Sequence, residues 1–222
     1  MKKLSFRAIS LGIALFLTSL AYAEPPNLGI LKKELMTYHD SGLYLKEISC
    51  VVAKAQSYIL QQAALNERQG NKKKLAIVLD IDETTLSNYK TIAQHRFSAT
   101  RKQIVQDILA ADAPAIQPML ALYSNARKHG IEVFFVTGRS MALMKATRKN
   151  LLSAGYNHWA GLYLRPDDYK QSSIIPFKSR ARKSITQQGY TIVASIGDQY
   201  SDFKGGYAQK GFKLPNPYYY LP

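Results

Sequence analysis

Three polar clusters stand out in this sequence, and each follows an apolar run of strand length. Asp80-Ile81-Asp82-Glu83-Thr84 follows residues 75–79, Thr137-Gly138-Arg139 follows 131–136, and Gly197-Asp198, with Asp202 four residues on, follows 191–196. Ligands of an open α/β sheet gather at the carboxyl ends of its strands, so these clusters are expected to meet. Carboxylates brought to one point repel and require a cation. Oxygen ligands without His or Cys suit Mg²⁺ rather than Zn²⁺. A carboxylate can also attack phosphorus and form an aspartyl-phosphate. A second group must then protonate the leaving alkoxide and later deprotonate water. Residues i and i+2 at a strand end point the same way, so Asp80 and Asp82 can both address a substrate. Thr137 and the backbone at Gly138 suit phosphoryl oxygens. A cation is needed where charge develops, and Lys178 is the best-placed lysine.

The elements that must position these groups are legible in outline. Strands apolar at every position are buried on both faces, as in a parallel sheet. Residues 161–164 form a fourth, shorter run of this kind. Helical stretches at about 116–129, 140–154 and 179–188 separate the strands. Ser140 and Ser179 read as N-caps, and Gly130, Gly155 and Gly189 as stops. Strands alternating with helices predict a doubly wound α/β domain. Upstream lie two helical stretches. The second runs from Leu43 to Arg68, with Leu45, Ile48, Val51, Val52, Ala55, Tyr58, Ile59 and Ala63 near helical spacing, and ends at Gly70-Asn71. Between the first two clusters, residues 87–114 read as a loop plus a helix.

The first 23 residues differ in kind from the rest. Lys2, Lys3 and Arg7 precede an apolar run from Ala8 to about Leu20, and Ala21-Tyr22-Ala23 is a small-x-small site. This pattern predicts a secretory signal peptide over 1–23 and a mature domain over 24–222. The run is short for a membrane span, so no stable anchor is expected after cleavage. Lys-led and short, the signal looks bacterial, and the expected location is periplasmic or secreted. The single cysteine, Cys50, offers neither an acylated N-terminus nor an internal disulfide.

Composition is that of a globular protein, 46% hydrophobic and 20% charged, which excludes a disordered chain. Net charge is +15, and loss of three basic residues with the signal leaves +12. Charge of this sign steers anionic ligands. The basic residues are scattered without a zinc-finger or RNP signature, so phosphorylated small molecules rather than nucleic acid are the expected partners. His39, His95, His129 and His158 match no metal-ligand spacing.

The set resembles the haloacid dehalogenase (HAD) superfamily, whose four motifs match Asp80-x-Asp82-x-Thr84, Thr137, Lys178 and Gly197-Asp198-x-x-x-Asp202. It narrows to the bacterial acid phosphatases of the class B/C type, subfamily IIIB. The narrower likeness is carried by Tyr38-His39-Asp40-Ser41-Gly42, the stretch from Asp80 to Asn88, Gly197 to Asp202, and Lys213-Leu214-Pro215-Asn216-Pro217. The resemblance implies a HAD-like Rossmannoid sheet flanked by helices, with a small helical cap in the 87–114 slot. It implies Asp80 as nucleophile and Asp82 as acid/base, lending its backbone carbonyl to Mg²⁺. Thr137, Gly138 and Lys178 would hold phosphate, and Asp80 and Asp198 would supply metal carboxylates, with Asp202 supporting the metal or Lys178. Substrates would be phosphomonoesters such as nucleoside monophosphates or aryl phosphates. Tyr219 offers an aromatic face to a nucleobase, and Arg182, one helical turn from Lys178, is expected to line the site. A phosphotransferase on the same intermediate and a non-enzymatic anion-binding or storage-type protein are the competing expectations.

Overall fold

The computed structural model describes residues 24–221; the expected signal peptide lies outside them. The helices are α1 (Leu28–Asp40), α2 (Leu43–Arg68), α3 (Tyr89–Gln94), α4 (Arg101–Ala110), α5 (Gln117–Lys128), α6 (Met144–Ser153) and α7 (Ile175–Gln187). The strands are β1 (Lys74–Leu79), β2 (Glu132–Ser140), β3 (Gly161–Arg165), β4 (Tyr190–Gly197) and β5 (Lys210–Lys213). They form one parallel sheet in the order β3-β2-β1-β4-β5, the doubly wound architecture expected.

Strand alternation divides the core into two layers. Ile77 and Leu79 face one side with Val133, Phe135 and Ile196, packing beneath α2 and α5. Ala76 and Val78 face the other with Phe134, Val136 and Ile192, under Phe177, Ala181 and Ile185 of α7. That two-sided burial explains the unbroken apolar runs. On α2 the buried side is Tyr44, Ile48, Val52, Ala55, Ile59 and Asn66. Leu45, expected on this face, is instead 48% exposed. The helix is sealed at its C-terminal end by Asn66, whose side chain exchanges two hydrogen bonds with the backbone of Lys73, at 2.9 and 3.1 Å.

Gly130, Gly155 and Gly189 end their helices with φ of 70°, 100° and 88°, conformations that favour glycine. Ser179 does not begin a helix. α7 starts at Ile175, with Pro176 in its first turn, and Ser179 lies inside it. Ser140 ends β2 and leads into a 3-10 turn, Met141–Leu143, before α6. β5 has no counterpart among the apolar runs of the sequence.

The 87–114 segment holds two helices, α3 and α4, rather than one. A capping box at Thr100 and Gln103 opens α4. His95 at the end of α3 bonds Asp107 of α4 at 3.1 Å. The two ends of this cap are zipped together: the Ser87 amide donates to the Pro114 carbonyl at 2.9 Å and the Ile116 amide to Thr85 at 3.0 Å. The cap therefore stands on a closed base beside the end of β1. Among the described residues, no helix is long and apolar enough to cross a membrane.

Candidate active site

The carboxyl ends of β1, β2 and β4 meet beneath the cap, as the topology requires with β1 between the other two. Asp80 follows β1 directly, and its amide continues the ladder by donating to Ile196 at 3.0 Å. The Thr85 hydroxyl donates to the Asp80 carbonyl at 2.5 Å and curls the chain after the strand.

Asp80, Asp198 and Asp202 are all buried, each offering one oxygen, and these oxygens lie within 4.8 Å of one another. Burial raises Asp80 well above the usual carboxylate range; Lys178 opposes this, while Asp202, Asp198 and Asp82 add to it. Burial likewise raises Asp202 against the pull of Lys178. Lys178, 2% exposed, donates to Asp80 Oδ1 at 2.7 Å and bridges to Asp202 as well. Its own pKa is raised: burial acts downward, but the two carboxylates outweigh it. One lysine between three buried carboxylates leaves an excess of negative charge. Hard oxygen donors with such an excess fit a divalent cation.

Asp198 is oriented by three donors: Thr84 Oγ1 at 3.1 Å, Gln199 Nε2 at 2.8 Å and Asn216 Nδ2 at 2.7 Å. Asp202 accepts the Gln199 amide at 2.8 Å. A Cβ on Gly197 would overlap the Asp202 carboxylate, so glycine is required for the two to approach.

Asp82 faces a different partner. Arg139 donates Nη2 to Oδ1 at 2.7 Å and Nε to both carboxylate oxygens at 3.1 Å, while Asn88 Nδ2 reaches Oδ1 at 2.8 Å. Burial acts to raise this carboxyl, but Arg139 and Asn88 prevail and hold it below the usual range. Glu83, with φ of 52° and 1% exposure, is pushed up to about 8 by burial and by Asp82. It accepts the Asn88 amide at 2.6 Å and the Tyr219 hydroxyl at 3.0 Å.

Thr137 is fully buried; its Oγ1 accepts the Arg139 amide at 3.1 Å and keeps its own proton to donate. The β2–β3 register shifts between Thr137 and Ser140, which frees Gly138 and Arg139 from the ladder. A cavity of about 460 Å³ opens over Asp80, Asp82, Gly138, Lys178 and Asp198, with Ile92, Phe97 and Ile104 of the cap side opposite and Tyr219 at its wall.

Asp80, Asp82, Gly138, Lys178, Asp198 and Tyr219 thus share one cavity. Arg182 does not join them. It is fully buried and donates to main-chain carbonyls: Gly206 at 2.9 Å, Asp202 at 2.7 Å, Ser201 at 3.5 Å, and Lys204. Its role is to hold the loop that carries Asp202. Sequence reasoning gave no role to Arg139, Glu83, Asn88, Gln199 or Asn216. All five fall in or beside quoted motifs, the one signal that pointed to them.

The family model for HAD superfamily subfamily IIIB (acid phosphatase) matches residues 28–222. The chain is 36% identical to Acid phosphatase 1 of Solanum lycopersicum over 151 residues, 65% of this chain and 58% of that protein. It is 35% identical to the Stem 28 kDa glycoprotein of Glycine max over 150 residues, 65% of this chain and 59% of that one. The match thus spans less than two thirds of either plant protein. Among solved structures, the class C acid phosphatase from Bacillus anthracis superposes with a TM-score of 0.69 and 23% identity, over 85% of this chain and 86% of that one, a likeness of fold. A match that takes in all four motif positions and nearly every described residue settles the lineage: the chain belongs to subfamily IIIB of the HAD superfamily, the acid phosphatase subfamily.

Proposed function

We propose that this protein is an exported, Mg²⁺-dependent phosphomonoesterase acting through an aspartyl-phosphate on Asp80, with nucleoside 5′-monophosphates and aryl phosphates among its substrates. The observation that carries the reading is the Asp80–Lys178–Asp202 bridge buried at the foot of an open cavity, with Asp82 beside it on a separate cation. Asp80 and Asp198 would hold Mg²⁺, with Asp82 and Asp202 adjoining; when bound, the ion supplies neutralisation of carboxylate and phosphoryl charge.

Asp80 is the group poised for attack. Its oxygen forms the bond to phosphorus as the bond to the leaving oxygen breaks, and protonated Asp82 gives its proton to that alkoxide. Thr137, the backbone at Gly138 and Lys178 stabilise the phosphoryl oxygens. In the second half Asp82 takes a proton from water, which displaces Asp80 and releases inorganic phosphate. The cavity admits a planar leaving group against Tyr219 and the cap. Export rests on the pattern of residues 1–23.

Hydrolysis of p-nitrophenyl phosphate by the mature chain, with Mg²⁺ or EDTA and beside Asp80→Asn, tests the reading. Metal-dependent turnover lost in the variant supports it. Absence of turnover in the wild type from acid to neutral pH, or turnover that survives in the variant, overturns it.

A further inference from the structure

Tyr218, Tyr219 and Leu221 of the 216–221 segment line the cavity, and two of the segment's backbone ties meet on one side chain. Gln199 is 6% exposed and lines the cavity. Its Nε2 donates to Asp198 Oδ2 at 2.8 Å and to the Tyr219 carbonyl at 3.4 Å, while its Oε1 accepts the Leu221 amide at 3.3 Å. The amide orientation is fixed by this pattern: two oxygens face the nitrogen and one N–H faces the oxygen, and the flipped amide would lose all three bonds. Nearby, Asn216 Nδ2 donates to the same Asp198 oxygen at 2.7 Å. At the far end Leu221 lies over the C-terminal end of β2, its Cδ2 3.5 Å from where a Cβ on Gly138 would sit. Tyr219 and Leu221 both face the cavity.

The geometry points to Gln199 as a positioning residue that couples the Asp198 carboxylate to the cavity wall formed by Tyr219 and Leu221, and so sets how well the site holds a bulky leaving group. This rests on the phosphomonoesterase reading. Gln199 does not reach the phosphoryl group in this role. It acts through the end of the C-terminal segment, beyond the point where Asn216 on Asp198 and the buried Tyr218 ring anchor it; there the Tyr219 hydroxyl on Glu83 is a further polar tie. A substrate too small to touch Tyr219 and Leu221 is indifferent to the wall. One that fills the cavity depends on it. A cation at Asp198 fixes the carboxylate on which Gln199 rests, so occupancy of that site also stiffens the wall.

The test compares 1-naphthyl phosphate with ethyl phosphate, both followed by phosphate release, in wild type and Gln199→Met, which keeps the side chain's length and loses its bonds. Hydrogen exchange of the 216–221 segment with and without Mg²⁺ is measured on the same proteins. The ratio of the naphthyl to the ethyl KM is expected to rise about tenfold in the variant, the effect of losing two to three hydrogen bonds of modest net worth. Mg²⁺ is expected to slow exchange at 219–221 in wild type but not in the variant. Leu221→Ala should raise the same ratio, which covers a variant at 199 that fails to fold. An unchanged ratio in both variants overturns the inference, as does a fall in kcat equal for both esters with KM unmoved. Failure of wild type to hydrolyse either ester sinks the phosphatase reading instead, and the exchange comparison still decides the coupling: Mg²⁺ protection at 219–221 that is the same in wild type and variant rejects it.

Discussion

Arg139 grips Asp82 at both carboxylate oxygens, with its Nη2 2.7 Å from Oδ1 and its Nε 3.1 Å from each. Arg139 is buried, so little solvent screens its side of the pair. Its effect is to keep Asp82 ionised to lower pH than a free aspartate. In the acid role proposed for it, Asp82 must carry a proton in the first step and is then available only in acidic solution. Removing the cation raises the Asp82 pKa, so the protonated form persists to higher pH. Arg139→Met should move the alkaline limb of the kcat profile to higher pH. A pH–rate series from acid to neutral reads this directly; an unmoved limb would show that Asp82 is not the group titrating.

Among the described residues, Lys178 is the one cation in direct contact with Asp80 and Asp202. Its loss leaves two buried carboxylates without a counter-charge. Lys178→Met should destabilise the protein in EDTA by roughly 3–5 kcal/mol, the cost of breaking a buried pair from one side. Urea unfolding of both proteins measures it. Mg²⁺ should recover part of that stability without recovering turnover.

Glu83 gives stability a pH dependence of its own. Its folded pKa is raised to about 8, above the ordinary 4.5, by burial and by Asp82. The folded state therefore binds the proton more tightly than the unfolded chain. This contribution is complete below about pH 4.5 and is lost as pH rises through about 8. Thermal unfolding in EDTA should show wild type losing stability relative to Glu83→Gln across that window, by up to about 1.4 kcal/mol per pH unit. Parallel curves for the two proteins would contradict the assignment.

Arg182 separates structure from recognition. Burial lowers its pKa to about 10, with Asp202 opposing, so it remains charged at neutral pH. Arg182→Ala should be costly, about 3 kcal/mol or more, because it removes a fully buried side chain together with its hydrogen bonds to four carbonyls of the loop. KM of the folded fraction should stay within about twofold of wild type, since no contact with substrate is removed. Denaturation midpoints and KM on the same preparation check both halves.

The motif clusters were legible because each follows a run apolar at every position, and a parallel sheet places all such ends together. β5 was not, because an edge strand need bury little: only Phe212 of its four residues is buried. The start of α7 was misplaced because Ser179 looked like a cap, although Pro176 carried the better signal. Arg182 was expected at the site on helical spacing from Lys178. Spacing gave the right helix and could not show that the loop carbonyls would claim the guanidinium. The Arg139–Asp82 and Tyr219–Glu83 contacts span 57 and 136 residues, so no local pattern encodes them.

The strand order has a consequence for biogenesis. β1 carries Asp80, yet its neighbours in the sheet are β2 and β4, and the partners Lys178 and Asp202 lie 98 residues or more further along the chain. A nascent or truncated polypeptide ending before residue 198 holds Asp80 without Asp198 and Asp202, and so lacks the carboxylate trio. On the proposed function, phosphate release would be a read-out of completed folding: it should appear with the last cooperative phase of refolding, and no earlier intermediate should cleave an ester.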